Sequence, residues 1–149
     1  MKKSSLLGIF LALLMLSSTL IYFISSLISR PTLPEGNIVN YELDVQQKNL
    51  VLRQGRVLLE FLYGQDCQDC QEKISLLEDF ANQYSDKVFL EKILVNESFP
   101  KLHFIGFNIT ENRIYLQEKE LEGENITEEN VMDVLCEIML YPPVECAKV

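Results

Sequence analysis

Two cysteines separated by two residues, Cys67-Gln68-Asp69-Cys70, stand between an apolar run and an amphipathic one. Residues 57–63 read VLLEFLY, a short apolar, β-branched and aromatic stretch that predicts a buried strand. Gly64-Gln65-Asp66 breaks it. Downstream, Ile74, Leu77, Phe80, Ala81 and Tyr84 recur at three- and four-residue steps and share one helical face. Cys67 is expected to open that helix, where unpaired amides and the helix dipole favour a thiolate. The thiolate is the nucleophile of disulfide exchange. Cys70, one turn deeper, is close enough to bond to Cys67 and to resolve a mixed disulfide. A structural disulfide without turnover and a metal site are the alternative readings of the pair. Asp66 and Asp69 put negative charge near the thiols, and like charge disfavours the thiolate; the alternative is that both are solvated turn residues.

The segments around this motif predict an α/β domain. Residues 44–54 read as a short helix that Gly55 stops. Residues 88–95 and 102–107 are further strand candidates, and residues 113–117 form a fourth, joined to the third through a polar turn at 108–112. Thr127 is a candidate N-cap for a last helix, with Glu128 and Glu129 in its first turn and Val131, Val134, Leu135 and Ile138 on its apolar face. Pro142 and Pro143 end it. A mixed sheet with helices on both faces suits this order. The expected division is a membrane segment at 1–30, a linker at 31–43 and the domain at 44–149.

Residues 4–29 carry no charge, and about 20 apolar residues suffice to cross the hydrocarbon core as a helix. No small-x-small cleavage pattern follows the run; a signal peptide cut at Ser17–Ser18 or Ser25–Ser26 is the alternative. Lys2 and Lys3 precede the run and Arg30 follows it, so the N-terminus is expected in the cytoplasm and the domain outside, at the cell membrane. Asn96, Asn108 and Asn125 each open an N-x-S/T sequon and are glycosylation candidates; chance is the other reading, since the pattern is short. Those three basic residues aside, ten basic face 22 acidic side chains. That sign argues against nucleic-acid binding.

The stretch LLEFLYGQDCQDCQEKISLLEDFANQY (58–84) resembles the strand, active-site turn and helix of the thioredoxin superfamily. FPKLHFIGFNITENRIYLQEKELEGENITEENVMDVLCEIM (99–139) is similar to that family's closing unit of proline, strand, hairpin, strand and helix. The resemblance covers roughly residues 44 to 140 and implies a thioredoxin-like fold: a mixed sheet flanked by helices, here behind one N-terminal transmembrane helix. It implies that Pro100 matches the family's cis-proline, which lies against the active-site disulfide and shapes the substrate surface; a plain loop proline is the alternative. The chain departs from thioredoxin proper in having Gln68-Asp69 between the cysteines and no tryptophan, and residues 96–99 stand where the family usually has another helix.

Cys136 and Cys146 complete a set of four cysteines, which allows three connectivities. With Cys67 bonded to Cys70 the others pair with each other, as a structural bridge or as an electron relay. Their spacing does not make a second zinc knuckle. His103, the single histidine, is read as structural or exposed rather than as a metal ligand, so no metal and no cofactor is expected. The expected function is a thiol–disulfide oxidoreductase acting on protein thiols and disulfides, with a membrane redox partner as a further candidate. A non-catalytic binding module held by two disulfides, and a CxxC metal carrier, are the competing readings.

Overall fold

The computed structural model describes residues 14–17, 20–21, 32–67, 69–96, 99–110 and 113–148, without the side chains of 109, 110 and 148. The chain divides into two units, Met1–Thr32 and Leu33–Val149. In the first, residues 14–17 and 20–21 are helical, and the rest of the span expected at 4–29 lies outside the described residues. Among the described residues no helix is long and apolar enough to cross a membrane.

The second unit is built on a five-stranded sheet of order β1-β3-β2-β4-β5. Its elements are β1 (Ile38–Val39), α1 (Val45–Arg53), β2 (Val57–Tyr63), α2 (Cys70–Gln83), β3 (Val88–Leu94), β4 (Lys101–Thr110), β5 (Arg113–Glu122) and α3 (Glu128–Ile138). Strands β1, β3 and β2 are parallel; β4 runs antiparallel to β2, and β5 antiparallel to β4. β2 is central and covered on both sides, which is why its sequence is almost uninterruptedly apolar. Val57, Leu59 and Phe61 pack with Leu77, Phe80 and Ala81 of α2 and with Val131, Leu135 and Ile138 of α3. Leu58 packs on the opposite face with Phe89 and with Val51 and Leu52 of α1.

Local chemistry sets the helix ends. Asp44 Oδ1 accepts from the amides of Gln46 and Gln47, both at 2.8 Å, and Gln47 Oε1 accepts from the Asp44 amide at 3.2 Å, a reciprocal cap. Gly55 follows α1 with φ +75, a conformation that disfavours any residue with a Cβ. Thr127 Oγ1 accepts from the Asn130 amide and starts α3. At the other end of α3 the helix approaches β4 closely. A Cβ on Gly106 would stand 3.0 Å from the Ile138 carbonyl oxygen and 3.3 Å from Val57 Cγ2, so only glycine fits without displacing backbone.

Two expectations need correction. The linker placed at 31–43 is largely part of the domain: it contains β1, buries Val39 and Leu43, and its Asn37 Nδ2 donates to the Ala81 and Val88 carbonyls. Two residues of strand are too short to show a period, and β1 exists because β3 offers it an edge. The hairpin is also longer than its apolar residues indicate. β4 continues to Thr110 and β5 to Glu122, because β5 is the sheet edge, exposed or half-buried along its length, and so is built from polar residues as well as apolar ones.

Candidate functional site

The Cys67–Cys70 disulfide closes at the carboxyl end of β2, with Cα atoms 5.4 Å apart. The Cys67 amide donates to the Gly64 carbonyl at 3.4 Å, so residues 64–67 form a turn. Helix α2 begins at Cys70, not at Cys67 as expected, because Asp69 takes the N-cap position. The cysteines therefore differ in setting. Cys70 is the first helical residue, buried at 4% exposure among Phe61, Leu77 and Leu102. Cys67 is half-buried and sits ahead of the helix. Asp69 makes no side-chain capping bond, in contrast to Asp44 on α1. The first-turn amides of α2 are thus left uncapped by Asp69, and those orphan donors favour negative charge beside the pair.

Cys67 lies between two depressions. One, of about 650 Å3, runs along Gly64, Gln65, Leu94 and Asn96. The other, of about 340 Å3, brings Cys67 together with Asp66, Asp69, Phe99, Pro100, Gly123 and Glu124. The structure therefore brings Pro100 and Cys67, 33 positions apart in sequence, to one groove. Pro100 is buried, and its carbonyl accepts from the Gly123 amide at 2.9 Å, tying the start of β4 to the end of β5. Among the described residues no peptide bond is cis, in contrast to the cis geometry that the resemblance implies at Pro100. Phe99, which sequence reading passed over, is 71% exposed beside Pro100 and offers an apolar contact in the groove.

The second pair is also bonded. Cys136 in the last part of α3 joins Cys146 in the turn Val144–Lys148, with Cα atoms 5.4 Å apart. The bridge closes a short loop that includes the buried Pro143, whose carbonyl accepts from the Cys146 amide. In the chain-entropy view a loop of this size is worth about 2–3 kcal/mol.

The three sequons differ in setting. Asn96 and Asn125 are exposed, and Asn96 lines the larger depression beside Cys67. Asn108 is half-buried, and its Nδ2 donates to Gln117 Oε1 at 2.8 Å and to the Glu137 carbonyl at 3.2 Å, so the atom a glycan would use is held inside the hairpin and against α3.

On the α1 face, away from the disulfide, one cross-strand row carries four titratable side chains that sequence reading did not connect. Glu91 pairs with Glu60, Glu60 with His103, and His103 with Glu120. Lys48 descends on the row from α1, with Nζ 2.7 Å from Glu60, 3.0 Å from Glu42 and 3.7 Å from Glu91. His103 Nε2 lies 2.7 Å from Glu120 and Nδ1 3.7 Å from Glu60, so the histidine belongs to this row. Glu91 is fully buried, and neither of its oxygens has a hydrogen-bond partner among the described residues. Burial pushes its carboxyl up to about 7; Lys48 opposes this, Glu60 and Glu42 add to it, and the Leu43 amide pulls down without closing a bond of normal geometry. Burial works against the Lys48 ammonium, but its bonds to Glu60 and Glu42 outweigh that and raise it above the ordinary lysine value. The visible signal was a glutamate in the middle of the two apolar runs at 57–63 and 88–95; its meaning required the register.

The sheet order, with a CxxC disulfide between β2 and α2 and a proline facing it from the start of β4, defines a thioredoxin-like domain. The helix usual between the second of these strands and the proline is absent, since residues 95–100 contain no helix among the described residues. No family model matches the chain. No curated protein matches it. Solved structures that match include the thioredoxin of Fasciola hepatica, at 16% identity and a TM-score of 0.42, covering 60% of this chain and 88% of that one. Deadhead, a germline-specific thioredoxin of Drosophila melanogaster, matches at 14% identity and 0.44, covering 65% and 95%. Trichomonas vaginalis thioredoxin matches at 16% and 0.40, covering 60% and 89%.

Proposed function

We propose that this protein is a thiol–disulfide oxidoreductase acting on the disulfides of exported proteins, with Cys67 as the exchanging cysteine and Cys70 as the resolving one. The observation that carries this reading is the asymmetry of the pair: Cys67 is half-buried in a groove with Pro100, while Cys70 is buried as the first residue of α2. From the oxidised form, a client thiolate attacks Cys67 Sγ. The Cys67–Cys70 bond breaks, and Cys70 leaves as a thiolate that takes up a proton. A second client thiolate then attacks the client sulfur of the mixed disulfide and releases Cys67, so two electrons pass to the pair and the client gains a disulfide. Each step is reversible, and the same geometry serves client reduction.

The test is a redox titration of the purified full chain in thiol–disulfide buffers, read by mass after alkylation. A reversible two-electron couple assigned to Cys67 and Cys70 is the expected result. A bond that stays closed in strong reductant would overturn the proposal in favour of a non-catalytic module.

The uncharged run at 4–29 behind Lys2 and Lys3 supports a place outside the cytoplasm on a membrane anchor, as does a second disulfide remote from the motif. A C-terminal reporter that functions only outside the cytoplasm is expected to be active; activity of a reporter restricted to the cytoplasm would reverse the orientation.

A further inference from the structure

We infer that the clients of the Cys67–Cys70 pair carry lysine or arginine beside the reacting cysteine; this rests on the exchange function proposed above. The groove holding Cys67 shares Asp69, Lys73 and Glu124 with a second depression of about 340 Å3 toward the start of α3. Together they present five exposed carboxylates, Asp66, Asp69, Glu72, Glu124 and Glu128, against the one ammonium of Lys73. None of the five makes an ion pair among the described residues, whereas Glu42, Glu60, Glu78, Glu120, Glu122 and Glu137 elsewhere each lie beside a lysine or histidine.

Every exchange step here moves negative charge through this field. The attacking client sulfur is a thiolate, and so is the sulfur that leaves. An anionic or neutral client meets uncompensated like charge as it docks, whereas a cationic flank neutralises the rim and is drawn along the groove to the disulfide. The carboxylates are exposed, so the effect is on encounter rate and is screened by salt.

The experiment uses the oxidised full chain and two synthetic peptides, each with one cysteine, flanked in one by lysine and arginine and in the other by aspartate and glutamate. The excess peptide thiol attacks Cys67 Sγ, and a second peptide thiol then releases the reduced pair and a peptide disulfide. The rate of appearance of the two protein thiols is divided by each peptide's rate with 2-hydroxyethyl disulfide, which removes differences in peptide thiol acidity. The basic peptide is expected to react roughly tenfold faster at low ionic strength. The ratio should fall toward one in high salt and in the double variant Glu124→Gln, Glu128→Gln. Equal normalised rates, or a ratio indifferent to salt, would overturn the inference and leave the exchange function standing. Failure of both peptides to reduce the pair would remove the exchange function and this inference with it.

Discussion

Cys70→Ser is expected to accumulate covalent complexes with client proteins, and Cys67→Ser to accumulate almost none. The half-buried Cys67 lines the groove, so in the first variant it still attacks a client disulfide. The mixed disulfide then persists, because the thiol that would resolve it from the first turn of α2 is gone. In the second variant the remaining thiol is the buried one, packed among Phe61, Leu77 and Leu102, where an incoming disulfide does not reach it. Both variants lose turnover altogether, and the contrast lies in the trapped species. Non-reducing electrophoresis with mass identification of the adducts measures it. Equal trapping by the two variants, or trapping only by Cys67→Ser, would reverse the assigned roles.

Glu91→Gln should change how stability depends on pH more than it changes stability at any one pH. Glu91 lies beside Glu60 in the row, and Lys48 serves both as well as Glu42. Three carboxylates on one ammonium, one of them without water, hold a proton more readily than the unfolded chain does. The carboxyl titrates near 7 in the folded protein against 4.5 in the reference state. Between those values the native state keeps a proton that the unfolded state has released. Stability from this group is therefore greatest at the acid end, falls as pH rises from about 4.5 to about 7, and stays low above that. At about 1.4 kcal/mol per unit, the loss over the whole titration is on the order of 3–4 kcal/mol. Lys48, raised above the ordinary lysine value, titrates outside this window. Glutamine stays neutral throughout, so the variant should gain on the wild type by about 2–3 kcal/mol between roughly pH 5 and pH 8. Contributions common to both proteins largely cancel in the difference. Urea unfolding at the two pH values decides it; stability curves that run parallel would mean that Glu91 is ionised in the fold.

Much of this protein is written in local pattern. The run at 57–63 is a strand because seven apolar-rich residues between turn signals bury well on two faces, and its bounds are those of β2. The repeat of Leu77, Phe80 and Ala81 makes α2 amphipathic, and Thr127 caps α3, since capping and helical periodicity act within four residues. The closeness of Cys67 and Cys70 follows from three residues of chain. What the amino-acid order alone could not decide are the meetings of distant residues. The two residues of β1 become a strand because β3, some fifty positions later, offers unpaired backbone groups. Pro100 and Glu124 reach the Cys67 groove because β4 and β5 pair along ten residues and return the chain there. Glu60, Glu91 and His103 are three unremarkable polar residues in sequence. Sheet register places them in one row and brings Glu60 and Glu91 beneath Lys48, where burial of the Glu91 carboxyl makes its charge costly.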